Sequence, residues 1–320
     1  MKSHKLFLFT MAACMTTYCV SSCGPKEYER PDITGVAHAA FFTSDYENTC
    51  SLFRDFFGYE NPITVYRDNG KVNLTTFKIN DRQYVEIFPE REKDSPRFYH
   101  FAIETNDAEA MRLYLKSKGV KVPDKTPKGR TGNYNYFVED PNGVICEIVQ
   151  YADGGETVAN YGKATPESRI SANMSHVGIQ CPDLDKAMSF YCDILGFTET
   201  WRGGPDPAKV KWVHLKAPES DQTIELMLYD SEPDKAKKGS MNHICLTVDD
   251  VFAAKEILDS RPFPEGCRVT PPSVGINKKR QINYYDCDGT RIEIMETQTV
   301  DGTPAPSSKG VPMKYGKPVK

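Results

Sequence analysis

No sign of charge dominates this chain of 320 residues. Its 44 acidic residues face 40 basic ones, for a formal net charge of −4, and the basic footprint of a nucleic-acid binder is absent. After the N-terminus, no run is long and apolar enough to cross a bilayer as a helix. No CxxC occurs beyond residue 23, so neither a zinc knuckle nor a redox pair is indicated. Of the ten cysteines, Cys14, Cys19 and Cys23 fall in the N-terminal segment, leaving Cys50, Cys146, Cys181, Cys192, Cys245, Cys267 and Cys287. An odd count cannot pair completely, and within apolar patterns cysteine serves as a small hydrophobe. One or two disulfides would suit an exported protein, but the sequence assigns no pairing. Histidine is scarce too, at six residues, and four of the six recur in one context.

That context is a repeat. Asn173–Phe197 reads as a strand pattern at His176–Ile179, then Pro182-Asp183. A helix pattern follows, with Leu184, Ala187, Met188, Tyr191, Ile194 and Leu195 at three- and four-residue steps, closed by Gly196. Ile33–Tyr59 repeats it, and in both copies a histidine stands 20 residues before the closing glycine: His38 to Gly58 and His176 to Gly196. Shorter echoes begin at His100 and His243. Four such units point to a fourfold internal repeat, each unit reading β-α-β-β-β. Helices are expected over Asp45–Phe57, Ala108–Lys118, Asp183–Phe197 and Val251–Ser260. The expected class is α+β, mixed sheets with helices on one face.

Around the repeats lie segments of other character. Lys2 and Lys5 precede the short apolar run Leu6–Met15, the layout of an export signal. Val20-Ser21-Ser22-Cys23 resembles a bacterial lipobox, which would make Cys23 the lipidated first residue of the mature protein, with Gly24 after it. Cleavage after Ser22 with free secretion is the alternative. Expected divisions are a signal over 1–23, a tether over 24–32, two repeats over 33–151, a linker over 152–172, two repeats over 173–297 and a tail over 298–320. The tail is rich in Pro, Gly, Ser and Lys, and it is expected to be disordered.

Chemistry enters through the last strand of each repeat. Glu86, Glu147, Glu225 and Glu293 each sit between hydrophobic neighbours, 47 to 50 residues after their strand histidine. Alternation along a strand turns each glutamate away from the apolar face. A carboxylate placed there is costly to bury unless it is paired or ligates a metal.

Taken together, the histidine-led strands and glutamate-bearing strands resemble a four-module member of the vicinal oxygen chelate superfamily, the glyoxalase I, bleomycin-resistance and extradiol dioxygenase group. The likeness covers Ile33 to Thr297. It implies βαβββ modules paired into two cupped sheets with helices on the outer faces, each cup holding a metal on the first and last strands of its modules. The C-terminal cup would offer His176, Glu225, His243 and Glu293, and the N-terminal cup His38, Glu86, His100 and Glu147. Such a set suits Zn²⁺, Ni²⁺, Co²⁺, Mn²⁺ or Fe²⁺.

The implied reaction is that of a metal-dependent isomerase or lyase on a small substrate with vicinal oxygens, through an enediolate-type intermediate. Glu293 or Glu225 would be the base. A binding protein without catalysis is the alternative. Ring cleavage is disfavoured, since the tyrosine position of the dioxygenase pattern holds Asn283 in one half and Phe137 in the other. No histidine lies between His243 and Glu293 or between His100 and Glu147. His214 is expected to line the cup or the surface, and Trp201 to line the cup or the core. Lys278, Lys279, Arg280 and Arg130 are possible attractors of an anion. The expected partner is a small molecule, with the membrane reached only through a lipid anchor. The chain can complete both cups as a monomer, although a homodimer stays open. The expected location is the periplasm or the outer membrane.

Overall fold

A computed structural model of the chain describes residues 28–315 apart from 94, 232 and 234–240. The N-terminal segment with Cys23, and most of the polar loop Ser231–Ser240, lie outside the described residues.

Each half forms one curled mixed sheet. In the first, β1 (Ile33–Thr43), β2 (Ile63–Tyr66), β3 (Val72–Lys78), β4 (Tyr84–Pro89), β5 (Phe98–Thr105), β6 (Tyr134–Glu139) and β7 (Ile145–Gln150) line up as β2-β3-β4-β1-β5-β7-β6. The second half contributes β8 (Met174–Cys181), β9 (Thr198–Gly203), β10 (Lys209–Val210), β11 (Trp212–Lys216), β12 (Thr223–Leu228) and β13 (His243–Val248). After these come β14 (Arg268–Val269), β15 (Ser273–Val274), β16 (Lys279–Tyr285), β17 (Arg291–Thr299) and β18 (Val311–Pro312). Its main sheet runs β14-β16-β17-β13-β8-β12-β11-β9, with β15 beside β16. In both halves the first strands of two modules pair antiparallel at the centre, and each is flanked by its own module's last strand in parallel.

The outermost strand of the repeat is the weakest part of it. In the second module it shrinks to one bridge, Lys128 to Tyr134, and in the fourth it breaks into β14 and β15. Proline explains both: Pro123 and Pro127 in one, Pro271 and Pro272 in the other, remove the donors a ladder needs.

All four module helices begin on an aspartate whose side chain accepts from a backbone amide of the first turn: Asp45, Asp107, Asp183 and Asp250. The first and third helices then widen. Phe57 N–H donates to Leu52 C=O at 2.9 Å, and Leu195 N–H to Phe190 C=O at 3.1 Å, five-residue steps in place of four. Gly58 and Gly196 end them, each at φ +81°, where a side chain would be strained.

The helices pack on the sheet faces opposite the cups, and the first and third are also enclosed between the two halves. Phe53 stacks on Phe77 of its own sheet at 5.3 Å, whereas Phe56 and Phe57 meet Tyr284 of β16 at 5.4 and 5.5 Å. Tyr191 of the third helix approaches Phe101 of β5 at 6.3 Å. One continuous hydrophobic core therefore spans both halves. The seven described cysteines are all unpaired. Residues 300–315 do not fit the expectation of a disordered tail: β18 pairs with β10, and Ser308 N–H donates to Arg202 C=O at 2.8 Å.

Candidate metal centres

Each cup gathers its four expected residues. In the N-terminal cup, Nε2 of His38 lies 3.1 Å from Nε2 of His100 and 3.3 Å from Glu147 Oε2, and His100 Nε2 lies 3.0 Å from the same oxygen. Glu86 Oε2 stands 3.9 and 3.7 Å from the two imidazoles. In the C-terminal cup, His176 and His243 meet at 3.1 Å, and Glu293 Oε2 is 3.4 Å from both. Glu225 Oε2 is 3.1 Å from His243 and 3.8 Å from His176.

Register explains this convergence. Across the central antiparallel pair, His38 stands opposite Ala102 and His100 opposite Ala40, while His176 faces Cys245 and His243 faces Gly178. The same four small residues sit beside the glutamates, in the pairs Ala40–Glu86, Ala102–Glu147, Gly178–Glu225 and Cys245–Glu293. Each histidine thus leans over a small neighbour. The requirement is strictest at Gly178, where an added Cβ would coincide with the His243 ring. A signal for this was present in the sequence, because the residue two after each histidine is Ala40, Ala102, Gly178 or Cys245.

The electrostatics suit a cation. Burial opposes charge on His38, but Glu86 and Glu147 prevail and raise it to about 9. Burial likewise works against the charge of Glu147, yet His38 and His100 hold it well below the usual carboxylate range. In the other cup, burial lowers His176. Burial and Arg291 also oppose charge on His243, but Glu225 and Glu293 raise it. Glu225 and Glu293 are both depressed: burial opposes this, and the imidazoles of His214 and His243 for the first, and of His176 and His243 for the second, overcome it.

The cups differ in what stands opposite their glutamates on the next strand. Thr76 faces Glu86 and Phe137 faces Glu147, whereas His214 faces Glu225 and Asn283 faces Glu293. His214 Nε2 lies 3.1 Å from Glu225 Oε1, while Oε2 of the same carboxylate is turned to His243. His214 is thus part of the site rather than mere lining, a role that depends on a register one sequence does not display. The cavity over the N-terminal set is about 310 Å³ and rimmed by Tyr84, Phe88, Tyr99 and Phe137. The C-terminal one is about 530 Å³, and Trp201, Trp212, Met227 and Met241 line it. Arg130 reaches the first cavity. Lys278 and Arg280 are instead engaged by Asp301 and Glu296.

Ligands about 2.1 Å from one ion lie roughly 3.0–3.5 Å from one another. The closest Nε2 and Oε2 separations in both cups fall in that range, and His38, His100 and Glu147, like His176, Glu225 and His243, converge as ligand atoms. The residues therefore fit a divalent ion.

Known proteins share this fold. The chain is 31% identical over 128 residues to an uncharacterised protein, YaeR, of Escherichia coli, a match covering 38% of this chain and 93% of that one. It is 28% identical over 151 residues to the mitochondrial methylmalonyl-CoA epimerase of Mus musculus, covering 41% and 81%. Among solved structures it resembles the 2,3-dioxygenase LapB of Pseudomonas sp. KL28, with TM-score 0.63, 17% identity and coverage of 90% and 99%. It also resembles a Mn(II)-bound glyoxalase of Novosphingobium aromaticivorans, with TM-score 0.62, 16% identity and coverage of 90% and 89%. Residues 35–148 and 173–294, the two cups with their helices, each match one family, and the chain belongs to the Glyoxalase/Bleomycin resistance protein/Dioxygenase superfamily.

Proposed function

We propose that the C-terminal cup is the active site of a metal-dependent isomerase or lyase that moves a proton between neighbouring carbons of a small substrate with adjacent oxygens. One observation carries this reading: two histidines and two glutamates converge there, and His214 adds a proton-carrying group behind one of the glutamates. A divalent ion held by His176, Glu225, His243 and Glu293 would supply a Lewis acid for the substrate oxygens.

The chain's own residues divide the remaining work. Glu225 is the better base of the two carboxylates. Its Oε2 faces the site, and its Oε1 meets His214, which can take up or return a proton from the outer side. Glu293 has His176 and His243 as its close polar partners among the described residues, and its role is to hold the centre. Trp201, Trp212 and Met227 give the cavity apolar walls that exclude water from the carbon being deprotonated. The N-terminal cup has Thr76 where His214 would stand, which favours binding without turnover there. Export, argued from the N-terminal segment with Cys23, directs the search to substrates outside the cytoplasm rather than glutathione adducts or coenzyme A thioesters.

The test combines metal content with proton exchange. Protein supplied with mixed divalent metals should hold two equivalents. Glu225→Gln/Glu293→Gln and Glu86→Gln/Glu147→Gln should each lose one. In D₂O, α-hydroxy carbonyl compounds should exchange their carbon-bound proton, at a rate that falls about 10²-fold or more in Glu225→Gln and less in His214→Gln. No bound metal under any supply overturns this reading.

A further inference from the structure

The two cups differ in one more charge. Arg291 opens β17 opposite His243 in the parallel register and lines the C-terminal cavity. One of its terminal nitrogens lies 2.6 Å from Nδ1 and 2.7 Å from Nε2 of the His243 ring, and its Nε is buried without a partner. His243 Nδ1 already meets the Met241 carbonyl at 2.9 Å, which places the imidazole proton there and turns the Nε2 lone pair to the metal position, so the guanidinium, close to both ring nitrogens, lies against the ring without an acceptor of its own among the described residues. The residue in the corresponding place of the N-terminal cup, two before Glu147, is Ile145.

The cations at the other cup are occupied elsewhere. Arg91 lies over the rings of Phe42 and Tyr99 at 5.4 and 5.7 Å, and Arg130 donates to the Tyr66 carbonyl at 3.0 Å and meets Asp68 at 3.6 Å. Among the described residues Arg291 has no such engagement. Its close polar contact there is with the His243 imidazole, which a metal ion would claim, and the Glu293 carboxylate acts on it only through charge. Beside that ion a guanidinium gains most when an anion accepts from it, and its planar fork fits a carboxylate.

We propose that the C-terminal cup takes a substrate that carries a carboxylate one or two carbons from its chelating oxygens, with Arg291 as the anchor. This deepens the metal-dependent reading and rests on it. Trp201 and Trp212 line the same cavity and suit an apolar portion of that substrate.

The probes are malate and lactate. Both offer a hydroxyl beside a carboxylate for the ion, and malate adds a second carboxylate for the arginine. Calorimetric titration uses the Mn²⁺-loaded protein in the Glu86→Gln/Glu147→Gln background, so that the C-terminal cup alone reports. Malate should bind at least about tenfold more tightly than lactate, the scale of a hydrogen bond between charged groups. At saturating Mn²⁺, Arg291→Met should bring malate to the level of lactate, and Arg291→Lys should retain part of the preference. Equal binding of the two acids overturns the proposal, as does a preference that survives Arg291→Met. If Mn²⁺ binds and the preference ignores Arg291, the anchor fails while the metal reading stands. If no Mn²⁺ binds and the preference still vanishes in Arg291→Met, the anchor stands and the metal reading fails.

Discussion

At the scale of single residues, four histidines, four glutamates and four small neighbours build two centres of the same plan. The strictest fit is at Gly178, whose missing side chain is the space the His243 ring occupies. Gly178→Ala should displace that ring and weaken C-terminal metal binding by about tenfold or more, as loss of a ligand or its support does. Elemental analysis at limiting metal should then show the N-terminal equivalent retained. Ala40 already fills the matching place in that cup. The histidines and glutamates were legible in the sequence because an ionisable group inside an apolar strand needs a reason. The small residues were written there as well, but smallness has many causes in a sheet. His214 was legible only as a residue lining the cup or the surface and Arg291 not at all, since their partners are set across strands.

At the scale of elements, apolar periodicity and turn residues located the strands and helices, and the capping aspartates marked where each helix starts. Periodicity did not reveal that the first and third helices widen after one and a half turns, because the same side chains face the core in either winding. The C-terminal segment shows a different limit. Val311 is 70% exposed and the segment is rich in Pro, Gly, Ser and Lys, so composition reads as disorder. It is held by backbone bonds: Val311 N–H donates to Ala208 C=O at 2.9 Å and Met313 N–H to Val210 C=O at 3.0 Å. Composition does not record an open edge strand elsewhere in the chain. Deleting residues 300–320 would uncover Val210, which is fully buried, and should cost about 2 kcal/mol of stability. Urea unfolding of the shortened chain measures it. An unchanged midpoint would mean that the segment merely rests on the surface.

At the scale of the whole molecule, the halves are fastened crosswise. The turn Asp140-Pro141-Asn142-Gly143 of the second module receives Tyr191 of the third, whose hydroxyl donates to Asp140 Oδ2 at 2.9 Å. The turn Asp286-Cys287-Asp288-Gly289 of the fourth module receives the first, through Ser44 Oγ to Asp288 Oδ1 at 2.6 Å and Thr49 Oγ1 to Asp286 Oδ2 at 3.4 Å. Burial at this junction raises Asp286 to about 6. Its folded pKa lies above the unfolded value near 3.9, so the folded state binds the extra proton and stability falls as pH rises from about 4 to about 6. Asp286→Asn, which keeps an acceptor for the amides of Asp288 and Thr290, should remove on the order of 3 kcal/mol of that pH dependence. Urea midpoints of both proteins at pH 4, 5, 6 and 7 check it.

The crosswise fastening also sets a schedule for making the protein. Phe56 and Phe57 leave the ribosome early, yet Phe263 and Tyr284, the rings that cover them, follow more than two hundred residues later. Until then the first half carries an uncovered aromatic face, which a nascent chain exposes to chaperones and to other copies of itself. The half-finished protein is the vulnerable species, and its safety depends on how soon the last module arrives.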